Sequence, residues 1–508
     1  MKRCKYGLII KSCHHTYVMG SHRGSHRHSR GMQKGYLTVY LSLSLALILS
    51  FILTFVEGAR MSLIRMEAEC VADIGMNSVL AEFHRELLEQ YDLLFVDMSY
   101  GTASRRPENS AEHLRVYMKN NFTGQHTGGF SVRDWLALSV DKAVVKELSI
   151  ASDDGGNVMK RQALEYMEHA SAEGVLAKVM GLAGETEALE LDTRDIEGER
   201  DSIQAQIDGI ELPKKRDEDG NLVEIALNNP ADKVNASRGG MVLHKVIGDV
   251  SKISRTAVYQ EDYISHREKN AGIGIQPGLP IPSGIADDLL FDCYLFDKCG
   301  WYGNELDKSL LKYQMEYIIA GKDSDMENLE TVVRRLVRWR EVANVIYIFS
   351  DSAKCTEAQI VALALSAVLL VPELAEPVKY SILFAWAYVE SLADVKCLMQ
   401  GGRVPLMKTS ADWKTRITNI IDFSGSAPDT GGGGRGLSYE DYLRIMLFLE
   451  KSQIKNMRAM DIMEMDIRLT PGNTYFCMDS CFDSYLADIS ISSAFGYRCD
   501  IKKRYGYH

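Results

Sequence analysis

The sequence predicts an α+β protein, mostly helical, with a single N-terminal transmembrane helix continuing into a stalk helix, a small β-sheet near the membrane and a large helical domain. Three observations predict it. Residues 36–56 carry no charge, and positions 37–56 hold seven Leu, two Ile, two Phe and two Val. Asp92–Met98 and Leu136–Ile150 are short apolar or alternating runs of the kind that pair into sheets. Beyond residue 285 apolar residues recur at helical spacing between capping signals.

The apolar segment decides the protein's class. Its thirteen large aliphatic and aromatic residues contribute on the order of −4 to −8 kcal/mol on the insertion scale. Twenty residues of helix cover about 30 Å, one hydrocarbon thickness. A secretory signal has an apolar core of about 7–15 residues followed by an A-x-A site. Here the run is longer and passes into Glu57-Gly58-Ala59-Arg60, so it reads as an uncleaved anchor over 36–56. Residues 1–35 hold eight Lys/Arg and no Asp/Glu, while the whole chain carries a formal charge of −11. The basic flank keeps the N-terminus in the cytoplasm and sends the acidic remainder across. An acidic body argues against nucleic acid as a partner. The head, 1–35, also holds five of the twelve His, and Met32 is an alternative start that leaves a short basic flank of ordinary type.

Thr38, Ser42, Ala46, Ser50 and Thr54 recur every four residues along the span. Small side chains at that spacing let a second helix approach closely, and their hydroxyls can bond across the contact. The competing reading is that Ser and Thr bond their own helix's carbonyls. These five residues are the candidate contact site, with the lipid bilayer, other membrane proteins and a second copy as the partners expected.

The rest divides in order. Residues 57–90 are rich in helix formers and read as a stalk. Residues 91–155 contain the two predicted strands and end in the loop Ala151–Gly156. Residues 156–270 read as a helical hairpin or coiled insertion: Leu182, Leu189, Ile196, Ile203 and Ile210 are spaced by seven, but the matching a positions are Thr186, Thr193, Arg200 and Ile207, a poor coiled-coil layer. Lys214–Gly220 is a charged loop. Residues 271–284, with four Gly and three Pro, mark a linker. Residues 285–470 form the helical domain. In it Gly321 closes one helix, and Ser324 with Glu327 opens the next as a capping box. Ile360–Val371 and Ser381–Val389 are too short to span a membrane and read as buried core helices. Thr430–Gly436 is a Gly-rich linker, and residues 471–508 return to short strands that complete the sheet begun at Asp92.

Motifs for chemistry are missing. There is no H-E-x-x-H, no G-x-S-x-G and no paired C-x-x-C. Asp217, Asp219, Asn221 and Glu224 resemble part of a calcium loop, but Asn228 stands where a bidentate Glu is needed. Eight Cys follow the span, and Cys293/Cys299 and Cys477, Cys481 and Cys499 are the local candidates for disulfides. The sequence therefore predicts no enzyme, no cofactor and no metal site.

Lys34-Gly35, the single span, Val56–Arg60 and the small-residue helix Ala68–Gly75 resemble the TadE/TadG-like pilus-assembly proteins. The longer blocks Tyr91–Asp97, Tyr313–Asp325, Arg340–Asn344, Ala385–Gly401 and Gly436–Asp466 are similar to a group of such proteins in Gram-positive, clostridial-type bacteria. The resemblance implies a non-enzymatic, membrane-anchored, pilin-like component of a tight-adherence (Flp-type) pilus or related secretion system. Such prepilins are cut after Gly and carry Glu at the fifth mature position. A cut after Gly35 would place Tyr40 there, so this chain departs from the pattern. The alternatives are a membrane-tethered extracellular binding or scaffold protein unrelated to pili, and an exported hydrolase.

Overall fold

A computed structural model describes residues 34–123, 136–168, 173–216, 222–429, 431 and 434–507. The basic head before Lys34, the Gly432-Gly433 pair, and Asp217, Asp219 and Asn221 lie outside the described residues. The chain is 59% helical with a small antiparallel sheet. Residues up to Arg65 form one unit and Met66–His508 a second.

The first helix, α1 (Lys34–Leu80), begins at the apolar segment. From Tyr36 to Val56 every side chain except Ser44 is exposed, as suits a helix whose surroundings are lipid rather than protein. Its last turns, from Ala68 onward, belong to the second unit and are buried at Ala68, Val71, Ala72, Met76, Val79 and Leu80. The predicted stalk over 57–90 is thus two helices, and it packs into the core through residues 68–80 and Leu87. The chain turns at Ala81–Phe83, and His84 caps α2 (Arg85–Tyr91), its imidazole Nδ1 accepting the Leu87 N–H at 3.2 Å.

Next come β1 (Val96–Asp97), α3 (Pro107–Thr123) and β2 (Leu138–Ile150). Then α4 (Asp153–Met167), α5 (Glu173–Ala188) and α6 (Ile196–Asp208) fill the predicted hairpin region. The predicted charged loop after Pro213 is corrected to a small hairpin. In it β3 (Lys214–Arg216) pairs antiparallel with β4 (Leu222–Glu224), Lys214 facing Glu224 and Arg216 facing Leu222. Two short helices follow, α7 (Pro230–Ser237) and α8 (Val242–Val246).

The predicted helical domain holds α9 (Ile285–Lys298), α10 (Gln314–Ala320), α11 (Asp325–Ser350), α12 (Ser352–Leu369), α13 (Ala375–Met399), α14 (Tyr439–Phe448) and α15 (Ser452–Arg468). Gly321, at φ 60°, closes α10, and the Ser324 hydroxyl accepts the Glu327 N–H to open α11. In α13 every residue from Ser381 to Val395 is buried. The expectation of a buried helix over Ile360–Val371 is corrected. In α12 only Ala358, Ala362, Ser366 and Leu369 are buried, because three of those four inward positions carry small side chains and the larger aliphatics point outward.

The last strands, β5 (Cys481–Ser493) and β6 (Arg498–Gly506), complete the sheet. All pairs are antiparallel: Val96 faces Phe482, Leu138 faces Ser493, and Ser484 faces Gly506. Central β5 is buried along most of its length and separates two cores. On one side Ala487, Ile489 and Ile491 meet α1 and α3. Gly75 allows that close approach, since a Cβ there would stand 2.8 Å from Met118 Cγ. On the other side lies the helical core. The buried Arg161–Asp483 pair, 2.6 Å apart, ties α4 to β5 across the boundary.

Candidate functional site

In the span the geometry is simple. The Thr38, Ser42 and Thr54 hydroxyls donate to Gly35, Val39 and Ser50 carbonyls of the same helix at 2.8–2.9 Å. Back-bonding of this kind satisfies the hydroxyls within the helix. What the stripe Thr38, Ser42, Ala46, Ser50 and Thr54 then offers a partner is small size rather than unmet polarity. The helix spacing places all five along one drifting line, 40° per step of four residues at about 3.6 residues per turn.

In the second unit many charged side chains are buried and paired. Arg340, fully buried on α11, donates Nε–H to Asp394 Oδ2 at 3.0 Å and NH1 protons to the Pro405 and Leu406 carbonyls. Lys408 reaches Glu390 and, at 2.6 Å, Asp394. Glu390 also accepts the N–H groups of Lys414 and Thr415 at 3.0 and 2.8 Å. Burial pushes the Asp394 carboxyl up, and the Lys408 and Arg340 charges reverse that and hold it below the usual carboxylate range. Together these four groups fasten the segment Arg403–Thr415 to α11 and α13.

The same device recurs. Asp325 accepts the Lys312 and Tyr313 N–H groups, Asp466 the Leu310 N–H, and Asp461 the Ser265 N–H. Asp153 accepts N–H groups from Ile150, Gly272 and Gly274 at 2.7–3.0 Å, so the predicted linker is held at its start against the loop before α4. Glu316 accepts the Tyr302 N–H and the Tyr439 hydroxyl. Burial raises Glu316 to about 7 and Asp466 to about 6. A carboxylate in an apolar interior costs several kcal/mol unless bonded. Backbone donors from irregular segments supply those bonds, so each carboxylate anchors a loop.

Among the described residues one group of ligand-type atoms converges: those of Glu464, Cys477 and Asp479 lie within 4.8 Å of one another. Arg267 already stands 2.6 Å from both carboxylates, and Arg468 lies 2.9 Å from Glu464 and 3.0 Å from Cys477 Sγ. Burial pushes the Cys477 thiol to about 11, which keeps it protonated. A metal needs a thiolate and would have to displace two guanidinium groups, so the set fits an internal ion-pair cluster. Among the described residues no disulfide joins any of the eight Cys after the span, the candidates Cys293/Cys299 and Cys477/Cys481/Cys499 included.

A cleft of about 480 Å³ opens between α6, α8, α11 and α13. Its charges are largely matched: Arg238 meets Glu341 at 2.7 Å and lies 4.1 Å over the Tyr388 ring, and Arg335 meets Asp192 at 3.0 Å. Thr331, Tyr388 and the carboxylates Asp195 and Glu197 also line it. Sequence reasoning missed the buried ions. Their one signal was a charged residue falling on an apolar helical stripe, as Arg340 does beside Leu336 and Ala343.

A profile of a family of unknown function (DUF5702) matches residues 222–493, more than half of the chain. No curated protein and no solved structure matches it.

Proposed function

The chain belongs to the DUF5702 family, and from that premise we propose that it is a non-enzymatic, membrane-anchored, pilin-like component that assembles a tight-adherence-type pilus or related secretion system. The observation that carries the reading is α1. Its first half is uncharged and exposed from Tyr36 to Val56, and its last turns are core beneath an antiparallel sheet. The basic flank before Tyr36 supports a cytoplasmic N-terminus, with Met66–His508 outside. The buried carboxylates support a scaffold role, since their bonding is taken up by loops.

Partner contact in this reading runs through Thr38, Ser42, Ala46, Ser50 and Thr54. Ser42→Leu/Ala46→Leu/Ser50→Leu keeps the span apolar but bulky. It should insert normally, lose crosslinks to neighbouring membrane proteins, and fail to restore surface filaments to a deletion strain. Unchanged crosslinks and normal filament counts would overturn the proposal.

A further inference from the structure

The outward face of α12 is apolar and uncovered. Ile360, Leu363, Val368 and Leu370 are 62%, 51%, 80% and 86% exposed. Ala364 and Ala367 lie exposed between them. From Ala358 to Pro372 no residue is charged. The helix ends on Leu370 in the left-handed region, φ 57°, where its N–H bonds the Ala367 carbonyl. That conformation favours glycine, yet here it presents a large aliphatic side chain at the tip. Exposed apolar residues contiguous on one helix face mark an interaction surface rather than scatter.

We propose that this face of α12 seats in the interfacial layer of a lipid bilayer, a second membrane contact in addition to the span. The proposal rests on the anchored reading above. Three observations choose lipid over a protein partner. The patch amounts to a few hundred Å², short of the ~800 Å² per partner that a specific complex between free proteins buries. A tethered surface needs less, because the anchor turns a weak contact into an intramolecular one at high effective concentration. The stretch from Ala358 to Pro372 also carries no charge of its own to select a protein. Charged residues stand only at its ends, Lys354 and Glu357 before it and Glu373 and Glu376 after it. Such an arrangement suits a helix lying flat at headgroup depth, with its ends in water. Full insertion is not available to α12, since Ala358, Ala362, Ser366 and Leu369 are committed to the protein's interior.

The test uses the full chain reconstituted into phosphatidylcholine vesicles containing a phospholipid with a photoactivated carbene group on its acyl chain. Labelled residues are mapped by mass spectrometry. Expected is label in residues 36–56 and also in 358–372, several-fold above that in the exposed helix Ile196–Asp208, and unchanged by added salt. Leu363→Asp/Val368→Asp, at outward positions, should abolish the 358–372 label while leaving the 36–56 label and the circular dichroism spectrum intact. Label in 36–56 with none in 358–372 overturns the proposal and leaves the anchor standing. So does α12-to-α12 crosslinking without lipid label, which assigns the face to a second copy. Absence of label in 36–56 removes the anchored reading itself.

Discussion

Replacing Lys408 by Met removes the one lysine from a buried set of four charges while keeping a side chain of similar length. The Lys408, Glu390 and Asp394 side chains are 1%, 0% and 3% exposed, so solvent cannot screen what remains. Glu390 keeps its two backbone donors, and Asp394 keeps Arg340 and the Asn344 amide at 3.0 Å. Two buried carboxylates would then face one guanidinium. Removing one partner of a buried pair costs about 3–5 kcal/mol, and the surviving bonds argue for the lower figure. Met66–His508 unfolds with an entropy of roughly 0.9 kcal/mol/K, at ~2.1 cal/mol/K per residue, so the midpoint should fall by about 3 °C. Differential scanning calorimetry of the full chain in detergent at pH 7 reads this directly. Adding Glu390→Gln removes the unmatched charge and should recover most of the loss, a coupling on the order of 2 kcal/mol. A drop below about 1 °C, or a double variant that loses the sum of the two single losses, would refute the view that this cluster holds Arg403–Thr415 in place.

Three further outcomes follow from the same structure. Glu316 is raised from 4.5 to about 7, so between those values the folded state holds a proton that the unfolded chain has released. Stability therefore falls as pH rises from about 4.5 to about 7, by up to about 3 kcal/mol for this group. Glu316→Gln should flatten that slope, matching wild type at pH 5 and exceeding its melting midpoint at pH 8; an unaltered slope contradicts the assignment. Asp153→Ala strips three N–H groups of their acceptor and should speed trypsin cleavage near Arg267 and Lys269, seen as earlier fragments in a digestion time course; an unchanged time course counts against the pin. Gly436, at φ 108°, would place a Cβ 2.2 Å from the Pro405 nitrogen. Gly436→Ala should break the Val404–Leu437 bridge and lower the calorimetric midpoint by about 1–3 °C, given strain of roughly 1–3 kcal/mol and the unfolding entropy above.

Much of the fold was legible because local signals and burial agree. The uncharged run to Val56, the Gly321 stop, and the Ser324–Glu327 cap each depend on a few neighbouring residues. The returning strands at the C-terminus were readable from alternation alone. What could not be read depended on distant partners. The break after Leu80 has no Gly or Pro to announce it. It is set by His84, whose N–H bonds the Phe95 carbonyl across the turn. Composition alone makes α12 look like core. Only the position of α13 decides that Ala358, Ala362, Ser366 and Leu369 face inward and Ile360, Leu363 and Val368 outward. The buried charges are the same case: Arg340 reads as a surface residue until Asp394 and Lys408, tens of residues away, are brought to it. Within the span, the stripe from Thr38 to Thr54 was visible as spacing, while the back-bonding of its hydroxyls was settled only by helix geometry.

The most direct measurement of the central claim is protease accessibility in whole cells with the wall removed, read by antibodies against Met66–His508 and against the segment before Tyr36. A membrane-bound product is expected, its large unit digested from outside while the basic flank is protected. Intact protein in the soluble cytosolic fraction, with its large unit shielded from the added protease, would contradict it.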